Sequence, residues 1–298
     1  MSPLPIFTFW EPRERMPAYI RLCIRTWEKH LPDHPLILTD HSNIENYIGK
    51  DTFDLEMLKT LGLAAQKDAY MVAILKRQGG IFMDADTLIG GDISWFLEHL
   101  RESEIVLFGL HMGFMAARPG AKILTICEEG VRERLEELRQ GPAPFKNEWD
   151  YVGNSVLTDA MIELSLNLPF GRTFDRLWRS RRAYHSASKS FWQKVANQRR
   201  WLVKLGPYRR YFKSLPPKKH GFIAENRHFG RRHDSVQKFR RFWLDPKLEV
   251  PDLFRPGANI IGLHNSRMPE WYRALSEEEV LRQGGLLSRT LRRLLSER

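Results

Sequence analysis

Two acids one residue apart, Asp84 and Asp86, close the stretch QGGIFMDADT that runs from Gln78 to Thr87. Three apolar residues, Ile81-Phe82-Met83, lead into them, long enough for a buried strand. Continued as an extended segment, that strand would turn Asp84 and Asp86 to one side and Ala85 to the other. Two carboxylates on one side suit a hard divalent cation such as Mg²⁺ or Mn²⁺. Such a cation can hold a diphosphate by its oxygens and neutralise it as a leaving group. A third acid, Asp68, falls on an apolar helical stripe with Ala64, Met71 and Leu75. A carboxylate buried there is either a paired structural acid or part of a site. His264 ends a last apolar strand, Asn259 to Leu263, near Trp271-Tyr272, and reads either as a structural residue or as a ligand.

The triplet alone carries little. With 14 Asp in 298 residues, chance supplies roughly 0.7 D-x-D triplets, so the surrounding elements must make the case. Ile6 to Trp10 reads as a strand, the segment after Pro17 as a helix, and Leu36 to Thr39 as a second strand ending at Asp40. Strand, helix and strand in so short a span imply parallel pairing through a crossover. A helix from about Asp54 to Gln78 then carries Asp68, and the pair Gly79-Gly80 can take the left-handed backbone that ends it. Further on, the pattern predicts a short helix near Ile93 to Leu100, strands at Ile105 to Leu110 and around HMGFMAARPG, and a long helix from Ala121 to Gln140. Gly153-Asn154 precedes another helix, where it is either a turn with an Asn cap or a set of backbone N–H groups facing an anion. Ser276-x-x-Glu279 is a capping box. The closing LLSRTLRRLLSER is a basic amphipathic helix, fit for the core or for a membrane surface.

The composition, 42% apolar and 11% aromatic, fits a globular chain with a real core. Two cysteines, Cys23 and Cys127, give neither a disulfide framework nor metal spacing. The start shows no secretory signal, and no apolar run is long enough to span a bilayer, so a cytoplasmic location is expected. The net charge of +11 is uneven: Arg172 to Arg241 carries a net +18 and the remainder −7. That basic stretch is interleaved with aromatics. It suits a solvated basic face, an anionic membrane surface or phosphorylated acceptor, or nucleic acid. No P-loop, G-x-G-x-x-G or G-x-S-x-G is present.

Four blocks together resemble the D-x-D glycosyltransferases of the capsular polysaccharide synthesis type, which share a layout with initiating mannosyltransferases and clostridial toxin glucosyltransferase domains. They are IFTFW with PAYIRLCIRTWEKHLPDHPLILTD, AAQKDAYMVAILKRQGGIFMDADT, GFMAARPG with YVGNSVLTDA, and GLHNSRMPEW. The second is the specific one. The resemblance covers most of the chain except about residues 172 to 250.

It implies an α/β, GT-A (Rossmann-like) fold with a basic, mainly helical insertion. The division expected is a nucleotide-sugar-binding core over 1–171, the insertion over 172–250, and a return to the core with a C-terminal helix over 251–298. The implied activity is metal-dependent, retaining transfer from a UDP- or GDP-sugar to a glycan or glycolipid acceptor in surface polysaccharide synthesis, with Mn²⁺ or Mg²⁺. Peripheral contact with the inner membrane face is expected, and nucleic acid is not. Asp68, Asp84 and Asp86 are the implied catalytic residues, with Asp86 and His264 on the metal. Phe9, Trp10, Asp40, Lys67, Ala85, Gly153 and Asn154 join Asp68 and Asp84 around the donor. The Arg of the family's S-D-x-x-R motif is replaced by Met71, with Lys67 or Lys76 as candidate substitutes. The rival readings are a nucleic-acid binder using residues 172–241 and an inactive glycosyltransferase-like scaffold.

Overall fold

The computed structural model describes residues 3–109, 111–141, 151–166, 210–229, 235–250 and 253–296. Strand β1 (Ile6–Phe9), helix α1 (Ala18–His30) and strand β2 (Leu36–Thr39) open the chain. As the crossover predicts, β1 and β2 pair in parallel, Ile6 opposite Leu36 and Phe9 opposite Thr39. The chain then passes back through α2 (Glu45–Ile48), α3 (Leu55–Lys59) and α4 (Leu63–Gln78) to β3 (Gly80–Met83), which lies parallel to β1 on its other side. The single helix expected over Asp54 to Gln78 is two. Asp54 caps α3 by accepting the Met57 N–H at 3.1 Å, and extended backbone at Gly62 starts α4 afresh. The Gln66 amide, donating to the Leu61 carbonyl at 2.7 Å, holds that break closed.

The hinge between helix and strand is built from glycine. Gly79 (φ 66°) and Gly80 (φ 105°) both occupy backbone that other residues rarely adopt. A Cβ at Gly80 would lie 2.6 Å from the Pro5 carbonyl oxygen, so β3 could not approach β1 with any other residue there.

The remaining elements complete a six-stranded sheet of order β2-β1-β3-β6-β5-β7 and a separate two-stranded ladder. Beyond β4 (Thr87–Ile89) and α5 (Ser94–Leu97), strands β5 (Ile105–Phe108) and β6 (His111–Ala117) enter, β6 running antiparallel to both β3 and β5. Helices α6 (Lys122–Gln140) and α7 (Asn154–Leu166) follow. Strand β7 (Phe212–Leu215) adds to β5 in parallel at the sheet edge, and α8 (Pro217–His220), α9 (Ala224–Phe229) and α10 (Ser235–Leu244) come after it. Residues 212–215, within the basic stretch, therefore form part of the central sheet. Residues 172–209 and 230–234 of that stretch lie outside the described residues. Strand β8 (Ile260–Gly262), α11 (Glu270–Arg273), α12 (Glu277–Arg282) and α13 (Leu286–Ser296) end the chain.

Both faces of the sheet are covered, so its strands alternate between two cores rather than between core and water. Along β5, Ile105 and Leu107 enter one core while Val106 and Phe108 enter the other. In β3, Ile81 and Met83 point one way and Phe82 the opposite way. Helix α4 is buried over nearly its whole length from Ala65 to Leu75, which is why its apolar pattern runs almost all round. The terminal helix, open between core and membrane on sequence, is core: Leu286, Leu287, Leu291 and Leu294 are buried against α1 and the C-terminal elements. Among the described residues no helix is long and apolar enough to cross a membrane. The mixed sheet with a parallel, helix-covered opening half is the α/β arrangement expected.

Candidate active site

Open α/β sheets bind ligands outside the carboxyl ends of their strands, where the strand order reverses. Here β1 leads to β2 on one side, and the next parallel strand, β3, lies on the other. That reversal is bordered by the ends of all three strands. β1 ends at Phe9 and Trp10, β2 at Asp40, and β3 at Asp84.

The D-x-D residues are brought together by a turn, not by strand alternation as expected. β3 stops at Met83; the Thr87 N–H then donates to the Asp84 carbonyl at 3.0 Å, closing a four-residue turn over Asp84-Ala85-Asp86-Thr87. Ala85 packs into the core below, while Asp84 stays partly exposed and Asp86 is buried. The turn redirects the chain out of the main sheet into β4, which pairs antiparallel with β8, Thr87 opposite Gly262. Helix α1 fixes β4 from beneath. The Trp27 indole N–H donates to the Thr87 carbonyl at 2.7 Å, and the Thr26 hydroxyl accepts the Ile89 N–H at 3.1 Å.

Asp86 is buried, and one oxygen, Oδ2, accepts the Asn265 N–H at 2.6 Å. Leu263 N–H donates to the Asp86 carbonyl at 3.0 Å, so the segment just after β8, with His264 in its middle, is tied to the turn on both sides of that residue. Burial first, then the neighbouring Asp84 charge, push Asp86 up to about 7 against the pull of the Asn265 N–H and Lys67. His264 sits next to the pair. Burial first, then Arg267 and His111, push its imidazole down to about 3, so it stands neutral with a lone pair to offer.

Asp68, the acid on the apolar stripe, is buried and paired. The Lys67 ammonium lies 2.5 Å from Asp68 Oδ1 and 2.7 Å from Asp84 Oδ1. Burial alone would lower the Lys67 ionisation, but Asp68 and Asp84 more than offset it and hold the ammonium charged. Lys67 thus joins the two acids. Met71 is fully buried in the core, and Lys76 pairs with Glu128 at 2.9 Å away from these acids.

The other expected residues are placed as follows. Phe9 is buried against Tyr70, ring centroids 4.9 Å apart, whereas Trp10 is half-buried beside the opposite core. Asp40 is held by the Ser42 N–H at 2.8 Å and by Arg13 at 2.8 Å. Burial would raise it, yet Ser42 and Arg13 together bring its carboxyl below the ordinary value. The Gly153 carbonyl accepts the Val156 N–H at 3.0 Å and opens α7. The Asn154 side-chain carbonyl accepts the Met112 N–H at 3.3 Å, and the Met112 carbonyl faces Lys67 Nζ at 3.5 Å. Gly153-Asn154 therefore braces the strand next to the acids.

Three contributors were not singled out in the sequence. His111 starts β6, its ring centroid 5.9 Å from that of His264, and its Nδ1 accepts the Gly113 N–H at 3.1 Å. Gly113 is required there: a Cβ would lie 2.8 Å from Asp84 Oδ2 and 2.9 Å from His111 Nδ1. The third is Glu225, fully buried, 3.2 Å from Arg267 Nη1 and 3.9 Å from His264 Nε2. A lone Gly inside an apolar strand is the available signal for the first two, since it marks a close backbone approach. Nothing local marks Glu225.

Residues 1–114 match the family described as capsular polysaccharide synthesis protein. That is the family the second sequence block resembles, and the matched span ends at Phe114, just after β6 has passed Asp84. It covers less than half of the chain. No curated protein matches. Among solved structures, the PaToxG glycosyltransferase is similar at 15% identity and a TM-score of 0.40, over 67% of this chain and 87% of that one.

Proposed function

We propose that the protein is a glycosyltransferase that takes a sugar from a nucleotide-sugar donor and passes it to a saccharide-bearing acceptor in polysaccharide synthesis. The observation that carries this reading is the gathering of Asp68, Lys67, Asp84 and Asp86 at the carboxyl ends of the parallel strands. The family match over residues 1–114 supports it.

The donor set fits a divalent cation. Asp86 keeps Oδ1 outside its bond to Asn265, and His264 is a neutral imidazole. Carboxylate oxygens suit Mn²⁺ and Mg²⁺, whereas an imidazole is softer than Mg²⁺ prefers and tilts the choice toward Mn²⁺. Among the described residues no three His, Cys, Asp or Glu stand in metal-holding geometry, so such an ion would complete its shell with diphosphate and water, the habit of Mg²⁺ in phosphate sites. When bound, the ion supplies charge stabilisation to the departing diphosphate.

The chain's own groups do the rest. Asp68 and Asp84 accept hydrogen bonds from hydroxyls of the donor sugar and fix the anomeric carbon for attack by the acceptor. Trp10, being the less buried of the two rings, offers a face to the base, and Asp40 offers an anchored carboxylate to the ribose. Retention of configuration, a glycolipid acceptor and contact with an anionic membrane rest on the resemblance and the charge distribution alone.

The test is a thermal-shift panel of UDP- and GDP-linked sugars with and without Mn²⁺, on the wild type and Asp86→Ala. A ligand that binds only the native state raises the melting temperature. The expected outcome is a shift that needs both the nucleotide sugar and the cation and is lost in the variant. Absence of any shift, or one untouched by the substitution, would remove the reading. Strongly salt-dependent binding to RNA would favour the nucleic-acid alternative.

A further inference from the structure

Lys67 departs from the family pattern, and its geometry is specific. Its side chain is 15% exposed, its Nζ touches Asp68 and Asp84 at 2.5 Å and 2.7 Å, and its remaining near neighbour is the Met112 carbonyl at 3.5 Å. The two acids come from different elements, α4 and the turn after β3. One compact cation joins them, which a planar guanidinium would do with a different geometry.

Resting on the transferase reading, we infer that Lys67 is a positioning residue that divides the acids into two working groups. Asp68 and Asp84 are clamped as the receptor for the sugar end of the donor. Asp86, tied instead to Asn265, is left as the D-x-D carboxylate for the cation. The separation follows from charge. An ammonium in contact with Asp84 competes with a divalent ion for that carboxylate, whereas among the described residues no ammonium touches Asp86. Without Lys67, the contact that joins Asp68 to the partly exposed Asp84 is lost, and Asp84 would be released to swing to the metal or into water. The clamp also accounts for tolerance of Met71, since the one positive charge needed between the acids is already supplied from the preceding residue of the helix.

The test compares two ligands that differ only by the sugar. Calorimetric affinities are measured for UDP and GDP and for their hexose conjugates with Mn²⁺, on the wild type, Lys67→Met, Lys67→Gln and Lys67→Arg. The expected result is at least a ~10-fold loss for the nucleotide sugar in Met and Gln variants, the scale of a lost charge-assisted contact, with the parent diphosphate within about twofold. Lys67→Arg should recover part of the loss, since it keeps the charge. Mn²⁺ affinity of the nucleotide-free protein, read by electron paramagnetic resonance, should rise in Lys67→Met as Asp84 is released.

Equal weakening of diphosphate and nucleotide sugar would assign Lys67 a general structural role and overturn the division. So would unchanged affinity for both, or Mn²⁺ binding that does not rise. A wild type that binds neither nucleotide nor nucleotide sugar overturns the transferase reading itself, a result distinct from any difference among variants. Lys67→Arg and Lys67→Gln keep the comparison intact should Lys67→Met fail to fold.

Discussion

Gly113 shows how tightly single residues are fitted around Asp84. Replacing it with Ala places a methyl 2.8 Å from Asp84 Oδ2, and the expected cost is ~1–3 kcal/mol of stability with loss of donor-dependent stabilisation, both readable by denaturant melts. Met71→Arg places a charge in the core, not among the acids. Met71 is fully buried in an apolar cluster, so the charge has no partner there, and a loss of more than ~3 kcal/mol is expected. Asp86 gives a pH signature in the metal-free protein. Its folded value of about 7 lies above the ordinary ~4, so between these values the folded state holds a proton the unfolded chain has released. The stability from this group is therefore full below ~4 and is lost as pH rises through about 7. Neutral, buried His264 acts in the opposite sense, losing stability as pH falls from its ordinary value toward about 3. The difference between wild type and Asp86→Asn isolates the first effect: the variant should lack the decline on the alkaline side. At this scale Asp68 was marked by being an acid on an apolar stripe, while Asp84, Asp86 and His264 were marked by their neighbours and the resemblance. The fold brings them close together. The reach of Lys67 was not, because a four-carbon chain on a helix can point several ways until the strand opposite is known.

At the scale of elements, the turn after β3 is anchored from below by α1. Trp27→Phe keeps an aromatic ring but removes the donor to the Thr87 carbonyl and part of the buried volume, leaving a buried acceptor unsatisfied. A loss of ~1–3 kcal/mol is expected, with faster amide exchange along β4 as the local readout. Strand, helix and strand over the first part of the chain were readable from period and punctuation, since Pro17, Pro32 and Asp40 bound them closely. The break between α3 and α4 was missed because Leu61 and Leu63 continue the apolar pattern across Gly62. The pairing of β4 with β8 and the edge position of β7 were missed for another reason. Alternation marks a strand, but the partner of a short strand is chosen by packing far away in sequence. The D-x-D turn belongs to the same class: three letters that read equally well as extended backbone until the Thr87 N–H is seen to bend them.

Across the whole molecule the C-terminal helices serve as a wall of the core on the α1 side. Leu291 is fully buried, so Leu291→Ala should cost ~2–5 kcal/mol and lower the melting temperature without changing the ratio of nucleotide-sugar to diphosphate affinity. The basic residues at this end are largely engaged in holding the backbone, as Arg289 does for the carbonyls of Pro246 at 2.8 Å and Gly284 at 2.7 Å. Charge totals read from sequence therefore overstate what this helix has free for an anionic surface. The turn and the segment that fixes it are far apart along the chain. Asn265, whose N–H holds the Asp86 carboxylate, lies 179 residues downstream of it. A chain leaving the ribosome exposes the complete D-x-D motif long before the strand that organises it exists. Contacts of such long range form late and slowly, so the emerging chain carries its acids for a time without the backbone that fixes them.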